Sequence, residues 1–356
     1  MTDNTSGEHG NGTPFVSPLV SVVTPVFDGA EYLAECIESV LAQSYTNWEY
    51  TIVDNCSTDA SLAIARAYAE KDARIRVVAN ERFLEQVPNF NMSLSLISED
   101  SVYTKMVLAD DSIFPRCLEE MVRVANSNPR IGIVGAYCCE EDRITCEGLA
   151  PPGEVFGGRE ICRRTMVEDL ALFGSPNNLL FRSDIVRHHM PFYSETSLHE
   201  DTESCFDVLA THDWGFVHET LTFTRRENES LTMARRVFDP QHWLDKYLIV
   251  LKYGDEFLDS TECASCTERI ESNYYRFLAD SCMYRIEPGF WEYHHAGLST
   301  TDTRLKRGKL ALYLLGSVGR ELAQPRRLGR RIVRFLSGGG STLTSESKRE
   351  DSRGIQ

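Results

Sequence analysis

The sequence predicts an α/β fold: a doubly wound, mostly parallel sheet flanked by helices. Three observations carry this. Short β-branched runs alternate with stretches whose apolar residues recur at helical spacing, the alternation repeats five times before about residue 140, and the links are short. Parallel strands joined in this way need right-handed crossovers, which places helices on the faces of the sheet.

Residues 1–17 are rich in Gly, Asn, Thr and Ser and hold too few large apolar side chains to offset the entropy of ordering, so a flexible arm is expected. Residues 19–27 form a β-branched run too short for a helix and bounded by turn formers, hence a buried strand. After the Asp28-Gly29 turn, Tyr32, Leu33, Cys36, Ile37, Val40 and Leu41 mark a helix. Residues 50–54 read as the second strand, and 59–72 as a helix with Asp59 at its N-cap. A third strand over 74–80, a helix over 87–96 and a strand over 103–111 follow, the last closed by Asp110-Asp111. A helix bearing Leu118, Met121, Val122 and Ala125 and a strand over 131–136 complete this half. Beyond residue 140 the rhythm loosens, with strands expected near 178–181 and 215–224 and a helix near 202–209. From Gln241 the pattern is mostly helical, interrupted at Pro288-Gly289, and the glycines from Gly338 open a polar tail.

Composition bounds the function. The 356 residues suit one large α/β domain with appendages, or two smaller ones, and 42% hydrophobic content supplies a core. The eleven cysteines are odd in number and irregularly spaced, and no N-terminal apolar leader is seen, so a reducing cytoplasm is expected and the sequons at Asn4 and Asn228 carry no weight. The apolar run 310–315 is far short of the roughly 20 residues of a membrane span. Net charge is −16, yet residues 304–335 hold ten Arg or Lys against one Glu, so the remainder stands at −25. Such an acidic body argues against nucleic acid as a partner. The basic segment reads either as a solvated helix packed by its Leu face or as a peripheral contact with anionic lipid.

Paired carboxylates at a strand's carboxyl end stand where open α/β sheets bind ligands, and hard divalent cations choose carboxylate oxygens. The same pair also suits a solvated turn or a helix cap. The lone pair Cys263 and Cys266 fits one helical face better than zinc or redox chemistry, and the His188-His189 and His294-His295 pairs have no partner at metal spacing.

Three motifs occur in order: Val23-Thr24-Pro25-Val26-Phe27-Asp28, Val53-Asp54-Asn55-Cys56-Ser57-Thr58-Asp59 and Ala109-Asp110-Asp111-Ser112-Ile113-Phe114-Pro115. Together they resemble family 2 of the inverting glycosyltransferases, which have the GT-A fold, over residues 19–227. The resemblance implies a sheet domain at 18–240, with a nucleotide-sugar half (18–140) and an acceptor half (141–240). A helical region at 241–336 and a disordered tail at 337–356 would follow. It implies that Pro25 and the Phe27 ring hold the nucleobase, that Asp54 accepts the imide N–H of uracil or thymine, and that Asp110 reaches sugar hydroxyls. Asp111 would ligate Mn²⁺ or Mg²⁺ on the diphosphate. Asn55-Cys56 stands where relatives have Asp-Gly, which makes a positive φ there less easy. Asn91 or Asn89 would face the nucleotide, unless either caps the helix that Pro88 begins, and Arg82 is a candidate phosphate contact. His199-Glu200-Asp201 resembles the family's Glu-Asp element, making Asp201 the base that deprotonates the acceptor, kept ionised by the helix dipole. Ser197 and Glu200 equally fit a capping box. Asn177, Arg182, His199 and Glu200 are acceptor-side candidates.

The expected activity is inverting transfer of a sugar from a nucleoside diphosphate sugar, most simply a UDP-sugar, to a saccharide or lipid-linked acceptor. A sugar-phosphate nucleotidyltransferase would need a Gly-rich basic loop after the first strand, where this chain is acidic. A non-catalytic nucleotide-sugar-binding protein would more readily lack Asp111 or the Glu-Asp element.

Overall fold

The computed structural model describes residues 17–197, 199–226, 237–283 and 287–322. The expected arm before residue 17, the tail from 337 and the basic stretch after 322 lie outside the described residues.

The first half follows the expected alternation: β1 (Val20–Val26), α1 (Leu33–Leu41), β2 (Trp48–Asp54), α2 (Ser61–Ala69), β3 (Ile75–Ala79), α3 (Gln86–Leu94) and β4 (Tyr103–Met106). Next come β5 (Ser112–Ile113), α4 (Cys117–Ser127), β6 (Ile131–Glu140), β7 (Arg143–Thr145), β8 (Val155–Phe156) and α5 (Gly158–Glu168). A 3-10 turn (Pro176–Asn178) leads into β9 (Leu180–Arg182), α6 (Ser183–His188), α7 (Glu200–Leu209) and β10 (Asp213–Thr224). Four helices close the described chain: α8 (Trp243–Phe257), α9 (Ser260–Met283), α10 (Phe290–Ser299) and α11 (Arg307–Leu322).

Among the described residues these strands form a ten-stranded sheet in the order β3-β2-β1-β4-β9-β6-β10-β5, with β7 beside β6 and β8 beside β10. The long pairings, β1 with β2 and β6 with β10, are parallel, as are β1 with β4 and β2 with β3. Antiparallel pairings are limited to two or three residues, including the β9 insertion between β4 and β6. The sheet is therefore mostly parallel, and β1 and β2, buried along nearly all of their length, read as continuous apolar runs because helices cover both faces.

One expectation is corrected. The strand read over 103–111 ends at Met106, and the aspartate pair sits in a turn closed by the Asp111 N–H donating to Leu108 O at 3.0 Å. The turn sets the two carboxylates apart, burying Asp111 while Asp110 stays half-buried.

The core continues past residue 240. Leu244, Tyr247, Val250, Tyr253 and Phe257 of α8 and Tyr274 and Leu278 of α9 share one apolar cluster with Ile133 of β6, Ile161 of α5, Phe206 of α7 and Trp214 of β10. All eleven cysteines are free; Cys263 and Cys266 lie three residues apart on α9, and Cys266 is buried against Met166 O.

Candidate active site

The carboxyl ends of β1, β2 and β4 open onto a cleft of about 840 Å³. Its lining includes two exposed rings, Phe27 and Phe83, in an edge-to-face pair with centroids 4.9 Å apart. Apolar faces presented to solvent at a cleft mouth are suited to receive a flat aromatic ligand. Phe83 is held there by Asn55, whose Nδ2 donates to Leu84 O at 2.7 Å and whose Oδ1 accepts from Leu84 N and Asn80 Nδ2, both at 2.9 Å. The Asn at this position is thus a loop clasp, and Cys56 after it adopts φ +62°, the left-handed conformation that glycine would take more easily.

Asp54, ending β2, is buried; its Oδ2 accepts from Ser57 N at 3.3 Å, and its Oδ1 has no hydrogen-bond partner among the described residues. Asp54 lies outside the cleft lining, which its neighbour Asn55 joins. Asp28 and Asp59 lace the two loops together: Asp28 Oδ1 accepts from Thr58 N at 2.6 Å, and Asp59 accepts from Ala30 N and Ser61 N at 2.9 Å each. Below the floor, Thr24 Oγ1 donates to Val107 O at 2.7 Å, with Tyr50 Oη 2.8 Å away, tying β1, β2 and the end of β4.

Asp110 and Asp111 line the same cleft. The Arg225 N–H donates to Asp111 Oδ1 at 2.9 Å and Thr224 Oγ1 to Oδ2 at 3.3 Å. Burial first, and the Asp110 charge second, push the Asp111 carboxyl up to about 8. A cation bound here would relieve both penalties. Among the described residues no group of three or more His, Cys, Asp or Glu could hold a metal by itself, so the rest of such a cation's ligands would have to come from elsewhere. Arg225 stacks on the Tyr32 ring at 4.3 Å and donates from Nε to Asp110 O, and Arg226, ion-paired with Glu140, also lines the cleft. These two arginines were missed in the sequence. Their signal was an Arg pair directly after a strand.

His199, which precedes α7, and Glu200 and Asp201, which open it, also line the cleft. Burial raises the Asp201 carboxyl, with the neighbouring His199 opposing it. The helix dipole that was to keep Asp201 ionised is thus outweighed by desolvation.

Other candidates lie elsewhere. Asn91 is buried in α3 and clasps Tyr193, donating to its carbonyl and accepting from its N–H at 2.8 Å each, so its amide is spent on packing; Asn89 lines the cleft instead. Arg82 is exposed outside the lining, next to Phe83, which is in it. Arg182 pairs with Asp184 and Pro129 O at a separate surface hollow. Asn177 is fully buried, bonded to Phe223 O, and accepts from Lys105 Nζ, so it shapes the turn whose Gly174, Ser175 and Pro176 line the cleft.

Residues 21–185 match the model of glycosyl transferase family 2. This region, a little under half of the chain, carries that family's pattern. Over 157 residues the chain is 32% identical to the putative glycosyltransferase EpsE of Bacillus subtilis, a match covering 42% of this chain and 56% of that protein. A glycosyltransferase of Streptococcus pneumoniae, GlyG, is 32% identical over 122 residues, 34% of this chain and 40% of the relative. The chain thus spans about half the length of these curated relatives. An uncharacterized glycosyltransferase of Rickettsia typhi is 29% identical over 302 residues, 82% of this chain and 87% of that protein. Among solved structures, residues 1–349 of S. aureus TarS in complex with UDP-GlcNAc superpose with a TM-score of 0.58 at 14% identity, covering 79% of this chain and 80% of that one. The mannosyltransferase PcManGT from Pyrobaculum calidifontis, in complex with GDP-Man and Mn²⁺, gives 0.51 at 14% identity over 87% and 88% of the two chains. At such identities the likeness is one of fold, the GT-A fold, and the matched family region supplies the aspartate pair and the floor of the cleft.

Proposed function

We propose that the protein is a metal-dependent, inverting glycosyltransferase that moves a sugar from a nucleoside diphosphate sugar to an acceptor hydroxyl, in the assembly of a polysaccharide or glycoconjugate. The observation that carries this reading is that one cleft is lined by the Phe27–Phe83 pair, by Asp110 and Asp111 with Arg225 and Arg226, and by Asp201. In this reading the base lies against the two rings, with Asp54 Oδ1 accepting its N–H. The Asp111 carboxylate would hold Mn²⁺ or Mg²⁺ together with phosphate oxygens and water, a normal arrangement for such a cation. Bound there, the metal would neutralise the departing diphosphate.

Asp201, in the same cleft, would take the proton of the acceptor hydroxyl as its oxygen bonds to the anomeric carbon. The bond from that carbon to the diphosphate oxygen breaks with its electron pair leaving on the phosphate, and the configuration inverts in this single displacement. A carboxyl whose pKa is raised by burial is a better base once ionised. Relatives of the fold bind UDP-GlcNAc and GDP-Man, so the fold leaves the nucleobase open; the Asp54 acceptor favours uracil or thymine.

A peripheral contact with anionic lipid, suiting a lipid-linked acceptor, is part of this proposal. It is supported by the exposed Leu312, Leu315 and Val318 of α11. No described helix is long and apolar enough to cross a membrane. Eleven free cysteines suit a cytoplasmic location.

Nucleotide release from UDP-, dTDP- and GDP-sugars with Mn²⁺, Mg²⁺ or EDTA tests the reading. Turnover of one donor is expected, abolished by EDTA and reduced by about 10²-fold or more in Asp111→Asn and Asp201→Asn. Binding of no donor would sink the assignment. Binding with no turnover, even when saccharide and lipid-linked acceptors are added, would favour a non-catalytic binding protein.

A further inference from the structure

Part of the cleft lining, from His199 onward, comes from residues outside the matched family region. Asp245, in the first turn of α8, is 7% exposed and sits between two histidines: its Oδ1 lies 2.6 Å from His199 Nε2 and its Oδ2 2.8 Å from His242 Nδ1. All three line the cleft together with Asp201.

The two histidines differ in what they anchor. His242 belongs to the start of α8 itself. It takes the left-handed conformation, φ +55°, uncommon for a residue with a β-carbon. Its neighbour Asp239 accepts from Leu244 N at 2.7 Å, capping the helix. His199 belongs to a different element: it immediately precedes α7, its carbonyl accepts the first helical bond from Glu203 N at 2.9 Å, and it stands two residues before the proposed base. The His199–Asp245 contact therefore joins the start of the helix bearing Asp201 to the start of the first C-terminal helix. A second tie between the same helices, Lys252 Nζ to Glu203 Oε2 at 2.8 Å, lies further along α7 and away from the cleft.

We propose that Asp245 is a positioning residue for the transfer reaction, acting through His199 to fix the Asp201 carboxylate in the cleft. The inference rests on the glycosyltransferase reading and assigns part of the base's machinery to the C-terminal helices. Burial would raise the Asp245 carboxyl, but its bonds from His199 and His242 outweigh this and hold it at about 2, so it is a fixed anion. His199, held against that anion, opposes the rise that burial imposes on the Asp201 carboxyl, and a base must be ionised. A purely structural role, capping α8 and packing it, would need only His242.

The experiment uses the full chain and four variants: Asp245→Asn, His199→Gln, the double variant, and Tyr247→Phe as a packing control. Tyr247 is buried in α8, bonded to Glu271 and outside the cleft lining. Release of UDP from UDP-GlcNAc with Mn²⁺ gives kcat and donor KM, thermal melting gives stability, and side-chain ¹⁵N spectra of the histidines report the ion pair. Expected are a roughly tenfold lower kcat in each single variant with donor KM within about twofold, and no further loss in the double, because the two residues act as one unit. The His199 ring resonances should move in Asp245→Asn. Tyr247→Phe should lower the melting temperature and leave kcat unchanged.

Unchanged kcat in Asp245→Asn, losses that multiply in the double, or ring resonances indifferent to Asp245 would each overturn the inference while wild-type turnover leaves the glycosyltransferase reading standing. Absence of wild-type turnover with every sugar nucleotide and acceptor would remove both.

Discussion

Asn55 accepts from two N–H groups and donates a third bond to the loop that carries Phe83, so one amide governs the placement of that ring. Asn55→Ala should leave those loop groups unpaired, at about 1–3 kcal/mol, and release Phe83. The expected result is a donor KM raised several-fold or more with little change in kcat, read from initial rates. His294 makes a different prediction. It is buried beside Phe290, with Nδ1 3.1 Å from Tyr274 Oη, and burial lowers its pKa to about 4. The unfolded chain binds a proton at this residue near pH 6.5 and the folded chain only near 4. Its contribution is therefore full above pH 6.5 and is lost as pH falls toward 4, on the order of 3 kcal/mol in all. Denaturant titrations of wild type and His294→Gln at pH 7 and pH 4.5 should show a smaller acid loss in the variant. An equal loss would refute the assignment.

At the scale of elements, Gly158 decides how α5 meets α7. A β-carbon there would come 1.9 Å from His212 O and 2.5 Å from Leu209 O, both backbone atoms that cannot rotate aside. Gly158→Ala should cost roughly 2–4 kcal/mol, within the range of severe overpacking, and lower the melting temperature accordingly. Since α7 carries Asp201, turnover should fall with the folded fraction. Helix α11 shows two unlike faces. Lys306 and Lys309 both reach Glu271 of α9, at 2.8 and 2.7 Å, while Leu312 and Leu315 stand 69% and 71% exposed. Cosedimentation with anionic vesicles should weaken markedly in Leu312→Glu/Leu315→Glu, and a charge added at the equally remote Val102 should have no effect. Indifference to both changes would remove the lipid contact from the proposed function.

At the scale of the whole molecule, one apolar cluster runs from Val23 of β1 through Trp214 to Leu298 of α10. The chain ended at residue 240 would expose the partners of Leu244, Tyr247 and Phe257, large side chains worth about 1.5–3 kcal/mol each when fully buried. That truncation should yield aggregated or non-cooperatively melting material, checked by calorimetry and by light scattering. A soluble, cooperatively folding fragment would show that the sheet domain stands alone. Net charge is segregated on the same scale, +9 over residues 304–335 against −25 elsewhere, so vesicle binding should fall steeply with salt.

The sequence by itself determined most of the alternation through β6 and the positions of α7 and β10, and it named Asp54, Asp110, Asp111 and Asp201 as candidates, because hydrophobic period and short motifs are local properties of the chain. It did not reveal β5, β7, β8 or α5, whose short or weakly apolar segments exist only because neighbouring strands and helices hold them. Tertiary structure alone decided which candidates share a cleft: Asn91 and Arg182 are consumed by Tyr193 and Asp184, while Phe83, Arg225 and Asp245 arrive from remote parts of the chain. It also set the carboxyl pKa values. Desolvation, which raises Asp111 and Asp201, depends on what packs around a residue and has no signature in its sequence neighbours.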